Sequence, residues 1–340
     1  MMTQKEIHIS KQTSNPQFEE VLGMIQSAKQ RVYSVVNTTL IDLYWHIGEY
    51  ISHQVETASW GKSIVEELAT YIRRQEPNTD GFSKQNLWRM KQFYETYKDA
   101  NPILSSLVRE TTWTNNLTIM SRCKKEEEKV FYMQLCKKER LSSRELDRQI
   151  DSALFERSVV AKPKLSAVMR EIAPQAENIF RDQYVLEFVG EPNGKPENNM
   201  RKVLLEKMRN FILELGKDFI HIKDEFHLQV GDSDFRIDLL FYHRELRCLV
   251  AFELKTEKFK PEHLGQLNFY LEALDRDVKK PFENPSIGVL LCKSKDNDVV
   301  EYALSRSLSP TMVAEYELKL PDKALLQHKM QELTEMLKDD

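Results

Sequence analysis

The sequence predicts an α+β protein in two parts, an all-α N-terminal part followed by a mixed sheet flanked by helices. From about residue 18 to residue 150, apolar residues recur at helical spacing and no segment alternates with period two. Four prolines and two glycines then lie between residues 159 and 196, a density of breakers found nowhere else in the chain. Beyond them come short segments rich in aromatic and β-branched residues, which are typical of strands.

The N-terminal part is predicted to consist of helices separated by short turns. One long helix covers about residues 21–55, where the apolar spacing meets no strong breaker. After a second helix, the stretch EPNTDG predicts a turn, and Ser83 is placed to cap the next helix. The predicted helices after the first are Ile64–Gln75, Lys84–Tyr97, Glu126–Lys137 and Ser143–Leu154, the last of them opened by Ser142 or Ser143.

The C-terminal part is predicted to combine strands and helices in one sheet covered on both faces. An amphipathic helix over residues 200–215 ends at Gly216. Of the three strands that follow, the second and third are separated by about three polar residues, so we expect them to pair as a hairpin. The predicted strands are 225–230, 235–243, 247–255, 286–292 and 313–318, and the later helices are Pro261–Leu274, Asn297–Leu304 and Lys323–Leu337.

Length and composition limit the class of protein. The 340 residues are enough for two domains, and 49 Lys and Arg against 53 Asp and Glu exclude a strongly basic, histone-like binder. The four cysteines stand far apart without a CxxC pair, which argues against a zinc site or a disulfide scaffold. No apolar run is long enough for a membrane span and the N-terminus is polar, so we expect a cytoplasmic protein without a membrane partner.

The segment GFSKQNLWRMKQFY has the form of the second helix of a helix-turn-helix element. Polar and basic residues on such a helix suit contacts to DNA bases and phosphates, and residues 83–98 carry four basic residues and one acidic residue. The alternative is a packed helical hairpin with an ordinary polar face. The candidate DNA-binding residues are Lys84, Gln85, Asn86, Arg89 and Lys91.

One cluster of ionisable residues in the predicted hairpin is suited to catalysis. Asp238 lies within the apolar segment FRIDLLFY, and Glu253 and Lys255 lie two apart on the next strand, hence on one face. A carboxylate in a central strand is costly to bury unless it is paired or binds a metal. The alternative is a buried Asp–Lys ion pair beside a glutamate at the rim. The three together favour an oxygen-only site of the kind that Mg²⁺ prefers, with a lysine to offset charge on a phosphate.

The pattern of Asp238, fourteen intervening residues and Glu253-Leu254-Lys255 resembles the signature of PD-(D/E)XK nucleases. The run FRIDLLFYHRELRCLVAFELKTEKFKPEHLGQLNFYLEALD resembles in particular the YhcG-type PD-(D/E)XK nuclease family of bacteria and archaea. The segments WGKSIVEELA, GFSKQNLWRMKQFY and SSRELDRQI resemble the helical domain that accompanies this nuclease domain. The resemblance implies a restriction-endonuclease-like fold for the C-terminal part.

The resemblance also implies roles for residues of the hairpin. Asp238 and Glu253 match the metal-binding acids, and the carbonyl of Leu254 would be a third ligand. Lys255 matches the catalytic lysine. Lys258, which follows the catalytic strand, is a solvated loop residue by default and would suit a phosphate contact in a nuclease.

Further positions are implied outside the hairpin. Gln266 and Tyr270 match a Gln-x-x-x-Tyr motif, whose i, i+4 spacing places both residues on one helical face. The alternatives are that Gln266 caps a strand end and that Tyr270 is a core residue. One departure concerns the acid that related sequences carry in the first helix of the domain, because this chain has Arg201 there. Glu197 and Glu206 are the candidates to replace that acid.

Together these observations predict a Mg²⁺-dependent nuclease, with Mn²⁺ able to substitute, that hydrolyses DNA in restriction, phage defence or DNA repair. The second candidate is a catalytically inactive, nuclease-fold subunit for DNA binding or assembly. Expected partners are DNA, restriction-modification or defence-system subunits and a second copy of the chain, because cutting both strands needs two sites. The expected domains are a helical domain at 15–157, a linker at 158–198, the nuclease domain at 199–320 and a C-terminal helix at 321–340.

Overall fold

The computed structural model describes residues 16–57, 62–186, 208–318 and 320–336. The chain divides into two compact units, residues 1–138 and residues 139–340. In its described residues the N-terminal unit is helical, and the C-terminal unit contains a mixed sheet with helices on both faces. These observations confirm the predicted fold class.

The N-terminal unit is built around one long helix. The predicted helix over residues 84–97 has the expected bounds, because the Ser83 side chain accepts a hydrogen bond from the Asn86 amide at 3.3 Å. Two helices were missed, although each begins at a capping residue, Asn101 before Pro102 and Thr112. The helices are α1 (Pro16–Glu56), α2 (Lys62–Gln75), α3 (Lys84–Tyr97), α4 (Pro102–Glu110), α5 (Trp113–Arg122) and α6 (Glu126–Glu139).

Helices α1 and α3 pack with their backbones in contact. A side chain at Gly48 in α1 would place its Cβ only 2.1 Å from the carbonyl oxygen of Met90 in α3. Around this contact, Ile51 and Leu87 are fully buried and Tyr44 nearly so. The absence of a side chain at Gly48 is therefore what allows the two helices to approach.

The C-terminal unit begins with two short helices where one was predicted. The first ends at Asp151, because Ala153 takes a left-handed conformation with φ of 51°. Its start carries a capping box, in which Ser142 and Glu145 each bond the other's backbone amide. The elements of this unit are α7 (Ser143–Asp151), α8 (Leu154–Val160), β1 (Lys164–Leu165), α9 (Ala167–Ile172), α10 (Ala176–Ile179), β2 (Gln183–Val185), α11 (Met208–Leu215), β3 (Phe219–Val230), β4 (Ser233–His243), β5 (Cys248–Lys258), α12 (His263–Ala273), β6 (Ile287–Ser294), α13 (Asn297–Ser305), β7 (Thr311–Glu317) and α14 (Lys323–Met336).

The described strands form one sheet in the order β1-β7-β6-β5-β4-β3, and β2 also pairs with β7. Strand β4 runs antiparallel to both β3 and β5, which confirms the predicted hairpin of β4 and β5. Strands β5, β6 and β7 run parallel, joined by α12 and α13. One face of the sheet packs on α9, α10 and α11, and the other packs on α12 and α13.

The segment expected as a linker carries parts of this sheet. Within it, β1 pairs antiparallel with β7 and β2 pairs parallel with β7, so both strands extend the sheet at one edge. These strands have two and three residues, too few to show a period in the sequence. Residues 187–207 of the expected linker and first helix lie outside the described residues.

A buried carboxylate ties this edge to the helices that precede it. Glu214 in α11 is 0% exposed, and it forms ion pairs with Arg148, Arg157 and Arg181 at 3.4, 2.7 and 3.2 Å. The Val185 amide also donates to Glu214 at 3.1 Å. Burial alone would raise the pKa of Glu214, but the three guanidinium groups outweigh it and lower that pKa to about 2.

Candidate active site

The two acidic residues singled out in the sequence lie side by side on β4 and β5. The antiparallel register pairs Leu239 with Phe252, and continued by one residue it sets Asp238 opposite Glu253. Directly opposite residues of an antiparallel pair point to the same face. Glu253 is 4% exposed, whereas Asp238 is half-buried. The sheet therefore presents two carboxylates on the face that α12 covers.

Hydrogen bonds fix both carboxylates. The amide of Leu254 donates to Oδ2 of Asp238 at 2.9 Å, which ties the side chain of one strand to the backbone of the next. The ammonium of Lys255 donates to Oε1 of Glu253 at 3.1 Å, as expected for residues two apart on one strand. The predicted trio is thus assembled at one point of the hairpin.

Helix α12 adds two further side chains to the cluster. Lys255 Nζ donates to Oε1 of Gln266 at 3.4 Å, and Nε2 of Gln266 donates to the hydroxyl of Tyr270 at 2.6 Å. Tyr270 is 3% exposed and belongs to the core, and burial raises the pKa of its hydroxyl. The structure therefore gives Tyr270 both a packing role and a hydrogen bond to Gln266.

The position of α12 depends on a glycine of the neighbouring strand. A Cβ at Gly288 in β6 would lie 2.8 Å from Cγ of Leu267 and 3.1 Å from Cδ1 of Leu271, both in α12. Without that side chain, α12 lies close enough to the sheet for Gln266 to reach Lys255. Gly288 was not among the predicted site residues, although a glycine inside an apolar strand is a known signal of close approach.

Basic and polar residues surround the cluster. Lys258, at the end of β5, is exposed, and its Nζ lies 3.9 Å from Oδ2 of Asp296. Lys260 pairs with Glu257 at 2.6 Å. A buried ion pair that was not predicted joins Lys295, just beyond the end of β6, to Asp182. Lys258 and Lys260 are both exposed, as a phosphate contact requires, whereas Lys295 is buried.

The described donors of the site are oxygen atoms. They are the carboxylate oxygens of Asp238 and Glu253. Leu254, whose carbonyl the resemblance implies as a third ligand, lies between Glu253 and Lys255 on β5. Among the described residues, no group of three or more His, Cys, Asp or Glu side chains is arranged to hold a metal ion. The positions predicted for a further acid, Glu197 and Glu206, and Arg201 lie outside the described residues.

The candidate DNA-binding residues of α3 differ in their surroundings. Gln85 and Arg89 are exposed and lie four residues apart, so they share one face of the helix. Lys84 is also exposed and pairs with Glu66 of α2. These three side chains form the exposed polar face of α3.

The other two candidates are engaged inside the N-terminal unit. Asn86 donates to the carbonyl of Gly81 at 2.5 Å and accepts from Nε1 of Trp113 at 3.0 Å. Lys91 pairs with Glu95, and its side chain is largely covered. These contacts favour structural roles for Asn86 and Lys91.

Two families match the chain in succession. Residues 177–331 match the YhcG PDDEXK nuclease domain, and residues 20–157 match the DUF1016 N-terminal domain. The chain belongs to the YhcG-type family of PD-(D/E)XK nucleases. Among curated YhcG-type proteins, "Putative nuclease YhcG" of Escherichia coli (strain K12) is 28% identical over 346 residues, which cover 90% of each chain. The predicted resemblance is thereby confirmed over nearly the whole sequence.

Solved structures also share similarity with this YhcG-type chain. A repair endonuclease from Pyrococcus abyssi matches 39% of the chain with 16% identity and a TM-score of 0.26. EndoMS in a complex with double-stranded DNA matches 40% with 17% identity and a TM-score of 0.26. The matches span about half of the length of those proteins, 50% and 48%. Among the described residues, no helix is long and apolar enough to cross a membrane.

Proposed function

We propose that this YhcG-type chain hydrolyses phosphodiester bonds of DNA with a divalent metal ion, Mg²⁺, for which Mn²⁺ can substitute. The observation that carries the proposal is the hydrogen-bonded cluster in which Lys255 joins Glu253 to Gln266, beside Asp238. Family membership supports the reaction class. Restriction, phage defence and DNA repair are the settings in which such an activity is used.

The donor set fits a hard cation. The carboxylates of Asp238 and Glu253 and the carbonyl of Leu254 would hold it, since oxygen ligands suit Mg²⁺. When bound, the ion would lower the pKa of a water molecule and polarise the phosphate. The charges of Asp238, Glu253 and Lys255 sum to −1, so a cation is favoured at this point of the sheet.

The remaining groups act on the water and the phosphate. Lys255 carries a positive charge beside Glu253, where it would orient a water molecule and stabilise the charge that develops on the phosphate oxygens. Gln266 accepts from Lys255 and donates to Tyr270, which holds the lysine head group in one position. Lys258 would bind the DNA backbone.

Cleavage of plasmid, linear and branched DNA with Mg²⁺ or Mn²⁺ tests the proposal. We expect the wild type to cut, EDTA to stop it, and Asp238→Asn and Lys255→Ala to abolish activity. Asp234→Asn is the matched control, because Asp234 lies on the same strand but is exposed and pairs with His227. Cleavage that persists in both site variants would contradict the assignment.

DNA binding by α3 has a separate test. We expect Arg89→Ala to weaken DNA binding about threefold to tenfold, uniformly across sequences, and to reduce the salt dependence by about one phosphate contact. Arg276→Ala replaces an exposed arginine of the C-terminal unit that already pairs with Glu272. Equal losses from both variants would show a general charge effect rather than a contact by α3.

A second candidate function is a nuclease-fold subunit that binds DNA without cutting it. The observation in its favour is that the described residues contribute two acidic side chains to the site and no cluster of three. Its signature would be DNA binding by the wild type with every substrate left whole under conditions where a control nuclease is active. In that case, restriction-modification or defence-system subunits are the partners to seek.

A further inference from the structure

The connection between β5 and α12 carries a second group of charged side chains, separate from the pair of Asp238 and Glu253. Near the end of β5, Oε2 of Glu257 accepts a hydrogen bond from Nζ of Lys260 at 2.6 Å. The other oxygen of that carboxylate, Oε1, lies 3.2 Å from Nε2 of His263, the first residue of α12. One carboxylate is therefore shared by a lysine and a histidine.

Hydrogen bonds hold the ring of His263 in one tautomer. Its Nδ1 accepts from the backbone amide of Lys260 at 3.3 Å, and an amide N–H can only donate. Nε2 of the neutral ring therefore carries the proton and donates to Glu257. The side chain of His263 is only 10% exposed, and its ring meets that of buried Phe259 edge to face at 6.3 Å between centroids. The fold thus aims two donors, one from Lys260 and one from His263, at a single carboxylate.

These two donors border the candidate active site. Glu257 follows Lys255 by two residues on β5, which spans no more than about 7 Å of chain. His263 precedes Gln266 by three residues, which is about 4.5 Å along the axis of α12. Because Lys255 and Gln266 are hydrogen-bonded to each other, Lys260 and His263 lie beside the point where the proposed function places the phosphate that is cut.

Two donors around an exposed carboxylate form a site that also suits a phosphate. Phosphate oxygens accept the same charge-assisted hydrogen bonds as carboxylate oxygens, and lysine is a common phosphate ligand. The side chains of Glu257 and Lys260 are 48% and 49% exposed, so the carboxylate is free to rotate away and another anion can approach. The hydrogen bond between them lowers the pKa of Glu257 and raises that of Lys260, so both groups are charged near neutral pH. The free chain therefore fills this anion site with its own side chain.

We propose that Lys260 and His263 bind the DNA phosphate next to the one that is cut, and that Glu257 occupies this subsite in the free chain and competes with the DNA for it. The subsite rests on the proposed function, because its ligand is the DNA that the nuclease would cut. Since DNA must displace Glu257 before it can contact Lys260 and His263, this carboxylate weakens DNA binding. If the three side chains only fastened the start of α12, the loss of Glu257 would not strengthen DNA binding.

Neutralising Glu257 gives the sharpest test. Glu257→Gln keeps the shape of the side chain but removes its charge, so we expect DNA binding to strengthen about fivefold to tenfold with an unchanged Tm. Glu262→Gln is the matched control, because Glu262 is exposed in the same connection, and it should strengthen binding less than about twofold. Fluorescence anisotropy of a labelled short duplex in EDTA, at several salt concentrations, measures binding without cleavage.

Replacing Lys260 tests the donor. Lys260→Ala should weaken DNA binding about twofold to threefold and reduce the salt dependence by about one phosphate contact. In the Glu257→Gln background the same change should weaken binding about tenfold, because Lys260 is then no longer engaged by the carboxylate. Lys280→Ala, which removes an exposed lysine beyond the far end of α12, should leave binding within about twofold of the wild type.

Three results would overturn the subsite while leaving DNA binding by the wild type, and with it the proposed function, intact. They are equal gains from Glu257→Gln and Glu262→Gln, a loss of both Tm and DNA binding in Glu257→Gln, and equal losses from Lys260→Ala in the two backgrounds. The first would show a general charge effect, the second a structural contact, and the third that Glu257 does not compete with DNA. A wild type that binds no DNA at any salt concentration would contradict the proposed function and the subsite together.

Discussion

The C-terminal unit contains two clusters of buried charge that are balanced in opposite ways. Around Glu214, one carboxylate meets three arginines, so the charges sum to +2 and the acid is held ionised. In the candidate active site, two carboxylates meet one lysine, and the charges sum to −1. The first arrangement needs no further ion to keep its acid charged. The second gains from a cation, which is what separates a structural cluster from a candidate site.

The largest expected effect is on DNA cleavage, from a change in the candidate active site, where the charges sum to −1. Glu253→Gln should reduce the cleavage rate by about 10²- to 10⁴-fold, because it removes a candidate metal ligand and the partner of Lys255. In a thermal melt, Mg²⁺ should raise the Tm of the wild type and leave that of Glu253→Gln unchanged. A variant that keeps both activity and the Mg²⁺ response would remove the distinction between the two clusters.

The next largest effect is expected on the free energy of unfolding, from a change in the cluster around Glu214, where the charges sum to +2. Glu214→Gln should lower the free energy of unfolding by about 3–5 kcal/mol, because buried Arg157 and half-buried Arg148 and Arg181 then lose the carboxylate that they share. Urea unfolding measures the change. Glu301→Gln is the matched control, since its pair with Lys164 is exposed, and it should cost less than about 1 kcal/mol. Similar losses from both variants would refute the structural role of Glu214.

The pH dependence sharpens the same comparison. The pKa of Glu214 is lowered to about 2 in the folded chain, from 4.5 in its ordinary state, so its ionisation stabilises the fold above pH 4.5. That contribution, about 3 kcal/mol, should be lost as the pH falls from about 4.5 to about 2. The gap in stability between the wild type and Glu214→Gln should therefore close over this range. A gap that stays constant with pH would show that charge is not its cause.

A smaller effect is expected at the contact that brings α12 to the sheet. Gly288→Ala should cost about 1–3 kcal/mol, because the new methyl group meets the buried side chain of Leu267. It should also slow cleavage by displacing Gln266 from Lys255. Gly265→Ala, in α12 itself, is a matched control. Nothing lies within 4 Å of a Cβ placed at Gly265, and alanine favours a helix. We expect that variant to be as stable as the wild type or more so.

Much of the fold could be predicted because its signals are local. The cap of α3 at Ser83 and the left-handed Gly216 after α11 are properties of a few adjacent residues. The pairing of β4 with β5 followed from a short connection between two apolar runs. The cluster of Asp238, Glu253 and Lys255 could be predicted for the same reason, because all three residues lie within that hairpin.

The parts that could not be predicted depend on contacts between distant residues. Arg148, Arg157 and Arg181 come from three separate stretches and meet only around Glu214. Nothing near Arg148 in the sequence indicates a buried partner. The left-handed Ala153 gave no warning of a helix break, because alanine is the strongest helix former.

The contact of Gly48 with Met90 has a mechanical consequence. Two helices that touch through their backbones cannot slide or rotate past each other without a clash, so α1 and α3 move as one rigid body. Gln85 and Arg89, which belong to α3, therefore stay at a fixed distance from the axis of α1. Any event that turns α1 therefore turns the exposed polar face of α3 by the same angle.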